Sequence, residues 1–173
     1  MEGLLDYKKD PKAYVHAKIY DSLVEGRLSL EMLKRGLLQN ASAKAFMSVK
    51  SAISALVVSN FDKLLEGKDE KEKFWYENEG YSAPTTGLIG ISKDLKRLNI
   101  DVEKIVRIAL SLHKFSYNGF DPNFVDYRNE KEVEDDIIEV VEWVVNLDSY
   151  FTFDEKLKKE KEEIEKLMKE IRP

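Results

Sequence analysis

The chain has 173 residues and no cysteine, which bounds it to one domain, or one domain with an appended helix, and excludes disulfides, thiolate metal sites and a cysteine nucleophile together. It is 43% hydrophobic, enough for a core, and 35% charged with a net charge of −5, so a protein that coats nucleic acid over its whole surface is disfavoured. Richness in Lys and Glu, with few Pro and Gly, leans towards a heat-adapted source.

Residues 1–12 read as a loosely tethered arm, and Asp10-Pro11 is a natural helix start. From about 12 to 37 the apolar positions Tyr20, Val24, Leu28 and Met32, with Leu23, Leu30, Leu33 and Leu37, predict an amphipathic helix. Gly26 in its interior costs about 1 kcal/mol relative to Ala, which predicts a close contact or slight bend there. A short Gln39-Asn40 turn then leads into the stretch that organises the chain, residues 40–66. Asn40 is the expected N-cap. One face carries Ala41, Ala45, Val49, Ala52 and Leu56 and a second carries Ala43, Met47, Ser51 and Val58, so this helix is expected to be surrounded by others.

Residues 67–85 break the pattern and read as a charged loop followed by a flap whose Phe74, Trp75, Tyr76 and Tyr81 seal one end of the bundle. Helix resumes over about 86–98, and after the Asn99-Ile100 break Asp101 can cap a fourth helix reaching about 116. Residues 117–128 form a turn. Asn129 with Glu132 then opens a fifth helix in capping-box fashion. A similar box, Thr152 with Glu155, starts a charged last helix with a narrow stripe of Leu157, Ile164, Met168 and Ile171. The fold class is therefore all-α: an up-and-down antiparallel bundle of about five helices over residues 1–150, with a C-terminal amphipathic helix over 151–173. That last helix docks on the bundle or meets a partner chain.

Signals for chemistry are few. The only imidazoles are His16 and His113, no two-histidine metal spacing exists, and neither a metal nor a cofactor is expected. The Gly87-Leu-Ile-Gly90 outline reads as a helix start with close packing. Glu132, Asp135, Asp136 and Glu139 crowd one helix and read as a solvated acidic face. The more pointed candidates are Arg107 and His113, since an Arg can hold a scissile phosphate while a His moves the proton from a ribose 2′-OH without a metal. A six-residue offset, however, puts them roughly 120° apart around a helix. Charge is also uneven, with nine Lys/Arg against six Asp/Glu in residues 1–50 and 19 against 27 in the rest, which leaves any nucleic-acid contact to a local patch. No secretory leader and no apolar run of the roughly 18 residues needed for a membrane span are evident, so a cytoplasmic protein without membrane association is expected.

The order of elements, with the AKAF..VKSAISAL helix, LKRLNID and LHKFSYNGFDPNF, resembles the HEPN superfamily and, within it, an archaeal PaREP-like branch. The resemblance covers about residues 15–148. It implies a bundle that forms a homodimer and binds a nucleotide, RNA or a protein partner such as a nucleotidyltransferase. Active ribonucleases of the superfamily carry an Arg, four to six residues, then a His, a spacing that Arg107 and His113 meet. Related members carry a TRYP-like turn where this chain has Tyr117-Asn118-Gly119-Phe120, with Asn118 at the place of the Arg and no downstream His. The resemblance thus implies a binding module, with a groove including Tyr117, Asn118 and Phe120 and the nearby cations Lys93, Lys96 and Arg97. A metal-independent, toxin-type ribonuclease and a structural scaffold are the alternatives.

Overall fold

The computed structural model describes residues 5–173 and contains helices and turns, with no strand among the described residues. Eight α-helices follow one another: α1 (Pro11–Lys34), α2 (Leu38–Ser59), α3 (Phe61–Leu65), α4 (Glu70–Asn78), α5 (Leu88–Lys96), α6 (Glu103–Asn118), α7 (Glu130–Val145) and α8 (Glu155–Ile171). The expected all-α bundle is the fold.

Local chemistry sets most boundaries. Asp10 accepts a hydrogen bond from the Ala13 N–H and Pro11 supplies the first helical residue, so α1 begins where the Asp-Pro pair placed it. It ends earlier than expected. Gly36 takes a left-handed φ of +75°, and Leu37 N–H reaches back to the Met32 carbonyl at 3.0 Å. The chain therefore reverses at Arg35-Gly36-Leu37 rather than at Gln39-Asn40, and α2 starts at Leu38 with no side-chain cap. Asn40 lies inside its first turn, which corrects the expected cap. Asn129 does cap α7 through the Glu132 N–H. On α8 the capping role falls to Asp154, which accepts from Leu157 N–H at 3.0 Å, and not to Thr152.

Helix α2 is the centre, packed by α1, α5, α6 and α7. It is long and apolar enough to cross a membrane by length and composition, but 72% of its apolar window is buried in the bundle. Packing with neighbours therefore accounts for its hydrophobicity. Serines let α1 approach it closely: Ser22 and Ser29 are fully buried and donate to the Ser48 and Ala41 carbonyls of α2, both at 2.7 Å. At Gly26 an added Cβ would meet Val144 at 3.5 Å and Ile164 at 3.9 Å, so the neighbours there stand at ordinary van der Waals distance.

The region 67–85 is more ordered than a loop. Asp69 caps α4 through Glu72 N–H at 2.8 Å, Tyr76 is buried, and Phe74 points to solvent. Trp75 fits against two glycines, since a Cβ on either Gly80 or Gly87 would stand 2.6 Å from its ring. Tyr76 donates to Asp94 at 2.6 Å and Lys68 pairs with the same carboxylate at 3.0 Å, which fastens α4 to α5. Burial followed by the Asp94 contact raises the Tyr76 pKa. The arm is also held: Tyr7 is buried, stacks on Tyr81 at 4.3 Å and donates to the Glu77 carbonyl at 2.7 Å.

Helix α8 lies along α1 and α7. Its pairs with α1 step along the seam in order, His16 with Asp154, Arg27 with Glu160 and Lys34 with Glu170, so the two helices run parallel. Leu157 and Ile164 are buried beneath them.

Candidate functional site at the seam of α2 and α6

The two helices are antiparallel: Gln39 on α2 donates to the Ser116 carbonyl at 3.2 Å, and one helical stretch further on Phe46 meets His113. The Phe46 ring stacks on the imidazole at 4.1 Å with an interplanar angle of 27°, and Tyr117 meets the same imidazole edge-on at 5.1 Å. Met47 follows Phe46 by about 100° of helical turn and so leaves the contact for solvent. Several large apolar side chains of these two helices and the turns next to them are open to solvent: Tyr117 is 78% exposed, Leu37 44% and Met47 41%, with Phe120 and Phe124 also open. Leu37 and Phe120 share one concavity at the start of α2. Gly119 makes this turn, because its φ of +58° with ψ of −137° lets the chain leave α6 at once.

His113 is partly shielded by the two rings, and this burial holds its pKa below the ordinary value of 6.5. The imidazole thus favours its neutral form. Arg107 is exposed and makes no ion pair among the described residues. Both residues sit on one continuous helix. Six residues amount to about 9 Å along the axis and about 120° around it, so within one chain the two side chains do not share a face. Arg107 instead shares a ridge with Lys114, seven residues away and nearly two turns on.

A model of the archaeal PaREP1/PaREP8 family matches residues 17–138, which run from α1 through the first half of α7 and contain the whole seam. The chain belongs to this family. No curated protein and no solved structure matches it.

The other expected ligand residues of this PaREP1/PaREP8 protein do not gather at the seam. Asn118 turns back to donate to the Lys114 carbonyl at 2.8 Å, closing the end of α6. Lys96 lies 4.0 Å from Glu103 at the start of α6, and Arg97 lies 3.4 Å from Asp94 at the end of α5. Glu103 and Tyr117 are separated by about 21 Å of helix axis. A single groove joining Tyr117, Asn118 and Phe120 to Lys93, Lys96 and Arg97 is therefore not formed within one chain, because α5 and α6 are antiparallel neighbours and place the two groups at opposite ends. On α7 the four carboxylates expected to crowd one face each have a partner: Glu132 with Arg128, Asp135 with Lys131 and Arg172, Asp136 with the Tyr127 hydroxyl and Glu139 with Lys104. The Gly87 backbone serves the Trp75 seat.

Two residues of the seam were not legible beforehand. Phe46 and Met47 belonged to a helix whose apolar residues surround most of its axis, so nothing local said which strip stays uncovered. The one hint was the Asn40, Lys44 and Met47 side of α2, where polar residues begin to interrupt the apolar pattern.

Proposed function

We propose that this protein is a HEPN-like module that pairs with a second copy of itself across the α2–α6 seam and binds a nucleotide or RNA without cleaving it. The observation that carries the reading is the pair of exposed apolar side chains, Met47 on α2 and Tyr117 on α6, flanking the Phe46–His113 stack beside the Arg107–Lys114 ridge. Exposed apolar clusters on single chains mark interaction surfaces. A two-fold contact uses the same patch twice, so it covers both copies of Met47 and Tyr117. It also sets two Arg107–Lys114 ridges side by side, a cationic cleft suited to phosphates. His113 is packed between the Phe46 and Tyr117 rings and stands about 120° around the helix from Arg107, which supports binding over cleavage. The order of elements adds to the HEPN-like reading.

The test combines light scattering with fluorescence anisotropy on a labelled single-stranded RNA. The expected mass of the wild-type chain is twice that of one copy. Met47→Glu should return it to one copy and weaken RNA binding. Arg107→Ala with Lys114→Ala should weaken RNA binding while the mass stays doubled. A single-copy mass for the wild type overturns the pairing, and a mixed assembly formed only with a nucleotidyltransferase would give the seam to a protein partner instead. Metal-independent RNA cleavage lost in His113→Ala would establish the ribonuclease alternative.

A further inference from the structure

A second concavity lies at the other end of α2, between the start of α1, the end of α2 and the segment leading into α8. Its volume is about 440 Å³, within the range of sites for small organic ligands. Val15, Ile19, Val58, Phe151 and Leu157 form its apolar walls. The polar groups on its lining are Lys12, His16, Ser59 and Thr152, with no carboxylate among the described residues that line it. In a chain of net charge −5 this is a local reversal of sign.

The two basic residues are placed by the helix. Lys12 and His16 are four apart on α1 and so stand one above the other on the same edge. Lys12 is exposed and makes no ion pair among the described residues. The carboxylate in contact with this lining is Asp154, and it is already engaged: one oxygen accepts from the Leu157 N–H at 3.0 Å and the other meets His16 Nε2 at 2.7 Å. His16 Nδ1 has no hydrogen bond among the described residues, and Ser59 spends its proton on the Leu56 carbonyl at 3.2 Å. Among the described residues, the uncommitted donors at this mouth are thus the Lys12 ammonium and the Thr152 hydroxyl.

We propose that this cavity binds an amphipathic carboxylate, with its hydrocarbon body against Val15, Ile19, Val58, Phe151 and Leu157 and its carboxylate on Lys12 at the mouth. An apolar body gains by leaving water for such walls, and a charged head needs an opposite charge beside it. Phe151, Thr152 and Leu157 lie beyond the family-matched span, whereas Lys12 and Val15 precede it. The site is therefore assembled in large part from this chain's two ends.

Titration calorimetry of the full chain tests this, with decanoate as the probe and decanol and decylamine as the neutral and cationic comparisons. Decanoate should bind saturably at one site. Decanol should bind about tenfold or more weakly, the loss expected for one charge-assisted contact. Lys12→Glu, at an exposed position, should weaken decanoate by a similar factor and leave decanol unchanged. Val15→Trp, which fills the cavity, should remove binding of both. The proposal is overturned if wild-type protein shows no decanoate binding at millimolar concentration. It is also overturned if decylamine binds as well as decanoate, or if Lys12→Glu binds decanoate like wild type. The outcome is independent of the seam, since none of these residues belongs to it.

Discussion

Alanine at Gly87 isolates what holds the segment between α3 and α5. The backbone there has φ −96° and ψ −12°, a right-handed conformation that alanine adopts freely. Any effect must therefore come from the added methyl group. Its carbon would lie 2.6 Å from Trp75 Cη2, 2.7 Å from Cζ2 and 3.3 Å from Pro84 Cγ. Carbon atoms pack best at about 3.5–4.0 Å, so the indole must retreat by about 1 Å. It cannot slide towards Gly80, where the other edge of the ring is already seated, and Tyr76 stands edge-on at 5.0 Å. Overpacking of this kind costs about 1–3 kcal/mol, and for a chain of this size each kcal/mol lowers Tm by about 2–4 °C. Gly87→Ala should accordingly lower Tm by several degrees in thermal unfolding followed by circular dichroism, with a change in tryptophan emission. In a Trp75→Leu background the collision partner is gone, and the same substitution should cost less than about 0.5 kcal/mol. Equal costs in the two backgrounds would show that the backbone and not the indole needs glycine, and the reasoning would fail.

Two further outcomes follow from the same kind of argument. Gly26→Ala should stabilise the protein by up to about 1 kcal/mol, because helix propensity favours alanine and the new methyl group finds only an ordinary contact with Val144 at 3.5 Å; a lower Tm would mean that α1 needs the gap. His113 should titrate by NMR below 6.5, since burial disfavours its charged form. The folded state then binds fewer protons than the unfolded one, so this group's contribution weakens as pH falls from about 6.5 through the folded value. His113→Phe should flatten that part of the stability profile, and a midpoint at or above 6.5 would contradict the packing on Phe46.

The placement of helices was largely legible because it depends on neighbours in the chain. Asp10-Pro11 and Asn129 announce helix starts through a hydrogen bond three residues long. The same locality shows that Arg107 and His113 diverge, since a helix fixes their angle whatever surrounds it. Where two local signals competed, one had to yield to the other. Gly36 ended α1 and displaced the turn from Asn40, and Asp154, directly before α8, took the cap from Thr152 while its second oxygen meets His16 on α1. The short helix α4 was hidden by its charge and is held by Trp75 and Tyr76 against residues that follow it in sequence.

By itself, then, the sequence determined an all-α chain, its main helices and the central place of α2. Only the tertiary structure decided which strip of α2 remains open. An apolar helix looks alike on every side until its neighbours are docked, and here α1, α5, α6 and α7 cover all but the edge that carries Met47. The same holds for the Lys12 cavity, whose walls come from residues about 140 apart in the chain and meet only because α8 returns alongside α1.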